Sequence, residues 1–553
     1  MTRPTEYCDP VRPLNARTWP VVAALLVLST ACSDAFGKDS TFEGPPELGP
    51  AILVDLVHSR KQNPEDYRLQ RNTYSYQGVH GYARVFDHLD HRGYDWSSIR
   101  AQPLSDRTLK GFDVLFINLL DESRPDFSAD ERRAIHRFVR RGGGLFVIAD
   151  HTNVYRHAER LNRVLEPMEI RVPYQTAVDY PPKHSVAGLG WLKVHNFERH
   201  PVTEGLRVVS PQTGAPLVTE HGIAFTSDRS FGDDWNPDDD EGFYGNWSRD
   251  DDEPEGPLPF VAARQFGEGR VVVVGDQNIF GDAWVHFADN FELAMNAFDW
   301  LTGESAPTPV SDIPGLDVAI DLPHNGFRAG KSGAEGFYAH YVNWNRLEGI
   351  NGLATLDVEA TADVKVLLDP KEPFGESEGE HLVEFMESGG TALLTMSVDD
   401  PAPAALDLLG RISPDWQVRI DGKRYSLSEA DRSALSGATV PKLDGPLPIV
   451  SNRLEIDELE VGAEPADSSS PRLLDLETDW GKPFIHARHR TGRVTIARWK
   501  EVGLGALIVF FQDGFWRNRT LGSQETTEPD ELARDAVDLQ FALMEFLKRL
   551  ESR

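Results

Sequence analysis

The chain has 553 residues, of which 40% are hydrophobic and 26% charged, so it has apolar material for more than one core and is not a disordered tail. Its formal net charge is −32. No Lys/Arg cluster runs beyond a few residues, which excludes the concentrated basic surface needed to hold nucleic-acid phosphates.

The N-terminus comes first in chain order. Arg3, Arg12 and Arg17 precede the apolar run Val21–Leu28, which leads into Ser29-Thr-Ala-Cys32. A spanning helix needs about 20 apolar residues and this run is far shorter, so residues 1–31 read as a secretion signal. Leu-Ser-Thr-Ala-Cys resembles the lipobox of bacterial lipoproteins, with the aliphatic residue one place further from the cysteine than usual. The resemblance implies lipidation at Cys32 and a bacterial cell-envelope protein held to the membrane by its lipid, facing the periplasm or the exterior, with simple secretion or an uncleaved anchor as the alternative. The other cysteine, Cys8, would leave with the signal, so neither a disulfide nor a cysteine nucleophile is expected in the mature chain. Residues 32–49 read as a tether and residues 304–311, around Ser305-Ala-Pro-Thr-Pro309, as a linker.

Between and after these segments the same landmarks occur twice, in one order. Ala51-Ile-Leu-Val-Asp-Leu-Val-His58 is echoed by Asp317-Val-Ala-Ile-Asp-Leu-Pro-His324, and Asp113-Val-Leu-Phe-Ile by Asp363-Val-Lys-Val-Leu. A helix pattern from Ser128 that ends in Gly142-Gly-Gly144 and an apolar strand is echoed from Ser377 to Gly389-Gly390. Pro259-Phe-Val-Ala-Ala-Arg264 is echoed by Pro483-Phe-Ile-His-Ala-Arg488, and the terminal pattern Asp289…Leu301 by Asp535…Leu547. The reading is two tandem domains, residues 50–303 and 312–553.

In the first copy, apolar runs at Ile52–Val54, Val114–Ile117, Leu145–Ile148 and Val271–Val274 alternate with helix patterns near 80–92, 128–141, 156–166 and 288–301. Such alternation with unbroken apolar strands predicts an α/β fold with a parallel sheet covered on both faces. Ser128 and Glu131 have capping-box spacing. Residues 167–258 break the alternation and read as an inserted excursion of short strands and loops, with a counterpart near 411–482.

The Asp113 strand, the Gly-Gly-Gly-Leu-Phe-Val-Ile-Ala-Asp-His-Thr-Asn stretch, His200-Pro-Val-Thr-Glu-Gly and Gly269-Arg-Val-Val-Val-Val-Gly-Asp together resemble the class I glutamine amidotransferase-like domains of bacterial envelope proteins, including gliding-motility auxiliary transporter components and, more distantly, ThuA-like proteins. The resemblance covers most of residues 50–303 and, more weakly, 312–550. It implies two flavodoxin-like, doubly wound parallel-sheet domains, each with its excursion, the second degenerate. Amidotransferases of that class carry a cysteine after the strand that here ends Phe146-Val-Ile-Ala. Asp150-His151 stands there instead, which excludes amide hydrolysis through a thioester, and no Gly-x-Ser-x-Gly elbow replaces it.

Ligands of open parallel sheets bind beyond the carboxyl ends of the strands. That rule gathers Asp55, His58, Asn118, Asp150, His151, Asn153, Asp276 and Asn278 into one candidate cleft. Within it Asp55, His58, Asp150, His151 and Asp276 have the ligand chemistry of a divalent metal site, although their spacing fits no established motif. Each alone has a plainer role as a turn or helix cap. His80 and His286 are further candidates to face the cleft, with surface placement as the plainer reading of each. In the second copy Asp321 and His324 are retained, whereas Ser397-Val398 align with Asp150-His151 and Gln512 falls near Asp276, which suggests one working site and one scaffold. The acidic stretch 233–255, with Trp235, Phe243, Tyr244 and Trp247 interleaved, reads as a solvated loop, with calcium or a stacked sugar ring as alternatives. Two functional readings remain open: a non-catalytic module for an envelope protein or carbohydrate ligand, and a metal-assisted hydrolase in the first domain.

Overall fold

A computed structural model of the chain describes residues 49–59, 81–238, 244–303, 313–396, 403–412, 417–420, 423–426, 476–477, 481–489, 492–511, 513–521 and 531–551. The signal, Cys32, nearly all of the tether, the linker 304–311, His80, Ser397, Val398 and Gln512 lie outside them. Among the described residues no helix is long and apolar enough to cross a membrane. The chain forms two compact units, each a mixed α/β structure around one large sheet that contains parallel strands.

The first unit runs β1 (Ala51–Asp55), α1 (Ala83–His91), β2 (Asp95–Ile99), β3 (Val114–Ile117), α2 (Ala129–Arg140), β4 (Gly144–Ile148) and α3 (His157–Leu165). The excursion supplies β5 (Gln175–Val178), β6 (Ser185–Ala187), β7 (Trp191–Leu192), β8 (Asn196–Phe197), β9 (Gly222–Phe225) and β10 (Phe231–Asp234). The hairpin β11 (Pro259–Phe266) and β12 (Gly269–Val274) and then α4 (Asn290–Thr302) follow. The sheet order is β2-β1-β3-β4-β12-β11-β9-β8. Its first five strands are parallel, and β11, β9 and β8 run antiparallel to their neighbours. The apolar runs expected as strands are β1, β3, β4 and β12, and β1, β3 and β4 are buried along their whole length, as strands covered on both faces must be. The reading missed β2, which lies on the sheet's edge and is only half-buried, so its sequence shows no apolar run.

The second unit contains β13 (Leu316–Asp321), α5 (Tyr338–Asn345), β14 (Ile350–Thr355), β15 (Val364–Leu368), α6 (Glu376–Glu387), β16 (Thr391–Thr395) and α7 (Pro403–Ile412). A small antiparallel sheet of β17 (Gln417–Ile420), β18 (Lys423–Ser426) and β19 (Leu476–Glu477) follows. Then come β20 (Lys482–His489), β21 (Gly492–Val502), β22 (Gly505–Phe510), α8 (Asn518–Leu521) and α9 (Glu531–Glu551). The large sheet has the order β14-β13-β15-β16-β22-β21-β20, again with five parallel strands first.

Two expectations need correction. The segments Pro259–Arg264 and Pro483–Arg488 are not equivalent: the first lies on β11, next to the last parallel strand, and the second on β20, one strand further out. The strand of equal rank to β11 is β21, so the Pro-Phe echo misled through local similarity alone. The segment Gly281–Phe291 packs in the second unit, although its sequence precedes the linker. Its backbone bridges β14, with Ala354 N donating to His286 O and Ala288 N to Ala354 O, both at 2.8 Å. Trp284 stacks on Phe287 at 4.0 Å and meets Tyr338 and Tyr341. His286 is therefore no part of the first unit's strand-end set.

Local devices recur in both units. The Asp113 side chain accepts from Ala51 N and that of Asp363 from Asp317 N, both at 2.8 Å, which ties the start of each first strand to its neighbour. Helix α2 ends at Gly142 (φ 111°) and α6 at Gly389 (φ 124°), in the left-handed region that favours glycine at a helix end. A third device joins the end of the first strand to the helix that follows the third. His58 Nδ1 lies 2.9 Å from Asp55 Oδ2, its Nε2 lies 3.4 Å from Glu131 Oε1, and its ring stacks on Phe127 at 3.9 Å. His324 repeats the pattern with Asp321 at 2.8 Å, Glu378 at 3.4 Å and Phe374 at 3.8 Å. Glu131 also completes the capping box with Ser128, and Glu378 accepts from Gly375 N.

Removing one partner of a buried ionic group leaves the others uncompensated, at about 3–5 kcal/mol. His58→Ala should therefore lower the stability of the first unit by about 3 kcal/mol or more. His324→Ala should cost less, because the Glu378 side chain is 34% exposed against 8% for Glu131. Hydrogen exchange of β1 and α2 amides against those of β13 and α6 resolves the two, and equal losses would contradict the burial argument.

Candidate functional site

In the first unit the strand ends carry the polar residues expected, all buried except Asn278, which is half-buried. Asp55 and His58 belong to the Asp–His–Glu bracket. Asn118, after β3, accepts from Leu119 N through its Oδ1 at 2.7 Å, and its carbonyl accepts from Ser59 Oγ. Asp150, after β4, accepts from His151 N at 2.7 Å. Its own N–H donates to His157 Nε2 at 3.0 Å, and His157 Nδ1 donates to Val154 O at 2.8 Å, which sets the tautomer. Burial pushes the His157 imidazole down to about 4, so it stays neutral in this role. Asn153 Oδ1 accepts from Glu159 N in the first turn of α3.

His151 sits between Thr152, whose Oγ1 is 3.1 Å from its Nδ1, and the Tyr244 ring at 4.5 Å. Burial, then the neighbouring His157, pushes it down to about 3. The same turn holds Thr152, Tyr155 and Arg156 at φ 50°, 53° and 58°. Left-handed backbone at non-glycine residues costs on the order of 1–3 kcal/mol each, most for a β-branched residue.

Asp276, after β12, is fully buried. Its Oδ2 accepts from Gln212 N at 2.6 Å and its Oδ1 from Asn278 N at 2.8 Å, while Asn278 Nδ2 reaches back to Gln212 O. Burial pushes its carboxyl up to about 7 against those amide bonds.

The metal set Asp55, His58, Asp150, His151 and Asp276 does not assemble, and among the described residues no group of three or more His, Cys, Asp or Glu is placed to hold a metal ion. The physical reason is local: Asp150 and Asp276 accept backbone N–H groups beside their own turns, and His58 is bracketed by Asp55 and Glu131. The acidic stretch behaves similarly. Asp233 accepts from Asn246 N and Trp247 N at 2.9 and 2.7 Å, and Glu253 accepts from Asp234 N and Asp250 N, both at 2.8 Å. These two buried acids pin the loop, while Asp234, Asp238, Asp250, Asp251, Asp252 and Glu255 are exposed to water. Tyr244 and Trp247 stack on each other at 5.7 Å. Asp239, Asp240, Glu241 and Phe243 lie outside the described residues.

The second unit departs most from expectation. Read as a scaffold without the charged cluster, it carries a buried ion-pair network at the same edge of its sheet. Asp369, the first residue after β15, is fully buried at φ 41°. Its Oδ2 takes Arg328 Nη1 at 2.8 Å, Arg517 Nη2 at 3.1 Å and Lys371 Nζ at 3.2 Å. Asp513, just beyond β22, binds Arg517 through Nε at 2.7 Å and also through Nη2. Burial, then the charge of Asp369, pushes the Asp513 carboxyl up to about 6 against the pull of Arg517. Glu335 binds Arg517 Nη1 and lies 3.1 Å from Arg519 Nη1. The residues of this network stand far apart in sequence and form no motif, so spacing held no signal for them; the one sequence cue was the acid directly after β15.

A family model described as a domain of unknown function, DUF4350, matches residues 77–298. No curated protein matches the chain. Among solved structures, the mmIFT52 N-terminal domain is similar at 17% identity over 45% of this chain and 97% of its own, with a TM-score of 0.33. A putative ThuA-like protein from Bacteroides uniformis is similar at 14% identity over 50% of this chain and 99% of its own, TM-score 0.28. One from Parabacteroides merdae is similar at 9% identity over 48% of this chain and 93% of its own, TM-score 0.27.

The His324 bracket gives a pH prediction. Burial disfavours its charge, but Asp321 and Glu378 outweigh burial and raise it above the ordinary 6.5. A histidine raised on folding contributes its full stability below the ordinary value and loses it as pH rises through the folded value. The second unit should therefore weaken as pH rises above the ordinary histidine value of 6.5 and through the raised folded value, and His324→Gln should flatten that slope in denaturation measured across the range. An unchanged slope would exclude His324 as its source.

Proposed function

We propose that the chain is a lipid-anchored cell-envelope protein whose two units act as a non-catalytic ligand- or partner-binding module. The observation that carries this reading is the fate of the first unit's strand-end groups. Asp150, Asn153 and Asp276 accept backbone N–H groups that hold turns and a helix start, and His58 is held between the Asp55 and Glu131 carboxylates. The metal-assisted hydrolase reading needs a shared reaction centre and finds no support in their geometry. Each unit is of the flavodoxin-like, glutamine amidotransferase-like type, in tandem. What supports this finer assignment is the parallel strand order, in sequence rank 2-1-3-4-5, in both large sheets.

The anchor is Cys32, supported by the charged and apolar run before it. One acyl chain binds membranes marginally and two or more hold firmly, so a multiply acylated Cys32 puts the protein in the membrane fraction. Cys32→Ser should abolish incorporation of labelled fatty acid, and continued labelling would overturn the anchor. Asp150→Ala should leave the fold intact and bound metal at background by elemental analysis. Stoichiometric metal in the parent chain that is lost in this variant would instead favour the hydrolase.

A further inference from the structure

We propose that Arg517 and Arg519 of the second unit form an oxyanion seat at the carboxyl edge of its sheet, for a ligand bearing a carboxylate or phosphate group, which the Glu335 side chain occupies as an exchangeable stand-in. The seat lies where ligands of open α/β sheets bind, beyond the strand ends and flanked by Asp369 after β15 and Asp513 after β22.

The argument starts from how the Arg517 guanidinium is divided. Its Nε and Nη2 face inward, onto Asp513 and Asp369, and both acids are buried. That fixes the plane of the fork and leaves Nη1 directed at Glu335. A planar guanidinium held this way is preorganised for a carboxylate or phosphate oxygen. Arg519 adds a second N–H donor to the same carboxylate, on Glu335 Oε1.

Glu335 differs from the acids behind it. Its side chain is 61% exposed while the Arg517 side chain is 8% exposed. Water therefore competes for the Glu335 carboxylate, whereas its arginine partner is buried and fixed by the acids behind it. The loop that carries it does not have to move. Asn518 Nδ2 donates to Lys331 O and Gly333 O, both at 2.7 Å, and Asn518 N and Arg519 N donate to Gly336 O and Ala334 O. The backbone is latched, and rotation of the Glu335 side chain alone clears the donors.

Charge supports an anion. Arg328, Arg517, Lys371 and Arg519 meet Asp369, Asp513 and Glu335. Among the described residues, turning Glu335 away leaves Arg328, Arg517, Lys371 and Arg519 against Asp369 and Asp513, in a chain whose formal net charge is −32. In the first unit the strand-end acids Asp150 and Asp276 accept backbone N–H groups instead, and Asp55 meets His58.

The experiment is isothermal titration of the full chain with inorganic phosphate and, separately, with succinate, at constant ionic strength. The parent chain should bind weakly because Glu335 competes from within. Glu335→Ala should bind at least tenfold more tightly, and Glu335→Ala combined with Arg519→Ala should lose that gain. The Arg519 side chain is 33% exposed and the residue lies on the surface of its helix, so this variant should keep the fold, which far-UV circular dichroism checks. Saturation by phosphate alone, by succinate alone or by both supports the seat and identifies its ligand class. No saturable binding by Glu335→Ala, or no gain over the parent, overturns it. The inference rests on the binding-module reading in treating this edge as a ligand site. Failure here with labelled Cys32 and a metal-free first unit would overturn the seat and leave that reading standing.

Discussion

A histidine held between two carboxylates and flat against a phenylalanine is the constraint on which both units depend. His58 lies between Asp55 at 2.9 Å and Glu131 at 3.4 Å, and His324 between Asp321 at 2.8 Å and Glu378 at 3.4 Å, so each imidazole meets a carboxylate on both sides, nearly closed to water in the first unit and with Glu378 partly exposed in the second. Such a group is stable only when every member is present. Because the acid of one side ends the first strand and the acid of the other opens the helix after the third, the bracket fixes where that helix begins relative to the sheet. The same glutamate caps its own helix through the residue three before it, so cap and bracket form or fail together. In the first unit Ser128 completes the cap, whereas Gly375 contributes only a backbone N–H, which agrees with the greater exposure of Glu378.

With strand ends fixed in the same way, the two edges use their polar residues differently. In the first unit acids and amides meet backbone N–H groups, and the result is a set of rigid turns. In the second, Asp369 and Asp513 meet arginine and lysine side chains, and one arm of Arg517 points at an exposed carboxylate. A backbone-satisfied acid cannot be displaced without unfolding its turn. A side-chain ion pair at the rim exchanges by rotating about a few bonds.

Much of this was legible in the sequence where the determinants are local. The strands β1, β3, β4 and β12 announce themselves as apolar runs, Ser128 with Glu131 as a cap, and the repeated Asp113 and Asp363 mark equivalent tethers. Asp55-Leu-Val-His58 and Asp321-Leu-Pro-His324 were visible as a repeat, but their partners Glu131 and Glu378 come from a different element: Glu131 was legible only as a helix cap, and Glu378 carried no mark. His157 was missed because a histidine inside a helix pattern carries no mark of a hydrogen bond to the preceding turn. The Pro-Phe echo failed because two antiparallel strands, one inside its sheet and one at the edge, can share composition while differing in rank. Arg328 and Arg517 join through tertiary contact alone, and the placement of Gly281–Phe291 is likewise a packing outcome with no pattern of its own.

The turn after β4 shows why strained backbone does not by itself indicate chemistry. Thr152, Tyr155 and Arg156 all take left-handed conformations there, and strain of this kind often accompanies a presented nucleophile. A nucleophile must be reachable, and Thr152 is fully buried with its hydroxyl beside His151 Nδ1. The surroundings that maintain the strain are packing and hydrogen bonds: Thr152 N to Gln175 O, Asp150 N to His157, and the Tyr244 ring over His151. Burial keeps both histidines neutral, which suits hydrogen-bond acceptors inside a closed turn. The strain is thus balanced by the order it imposes between β4 and α3, and the turn serves as a rigid support for the loop that Asp233 and Glu253 pin above it.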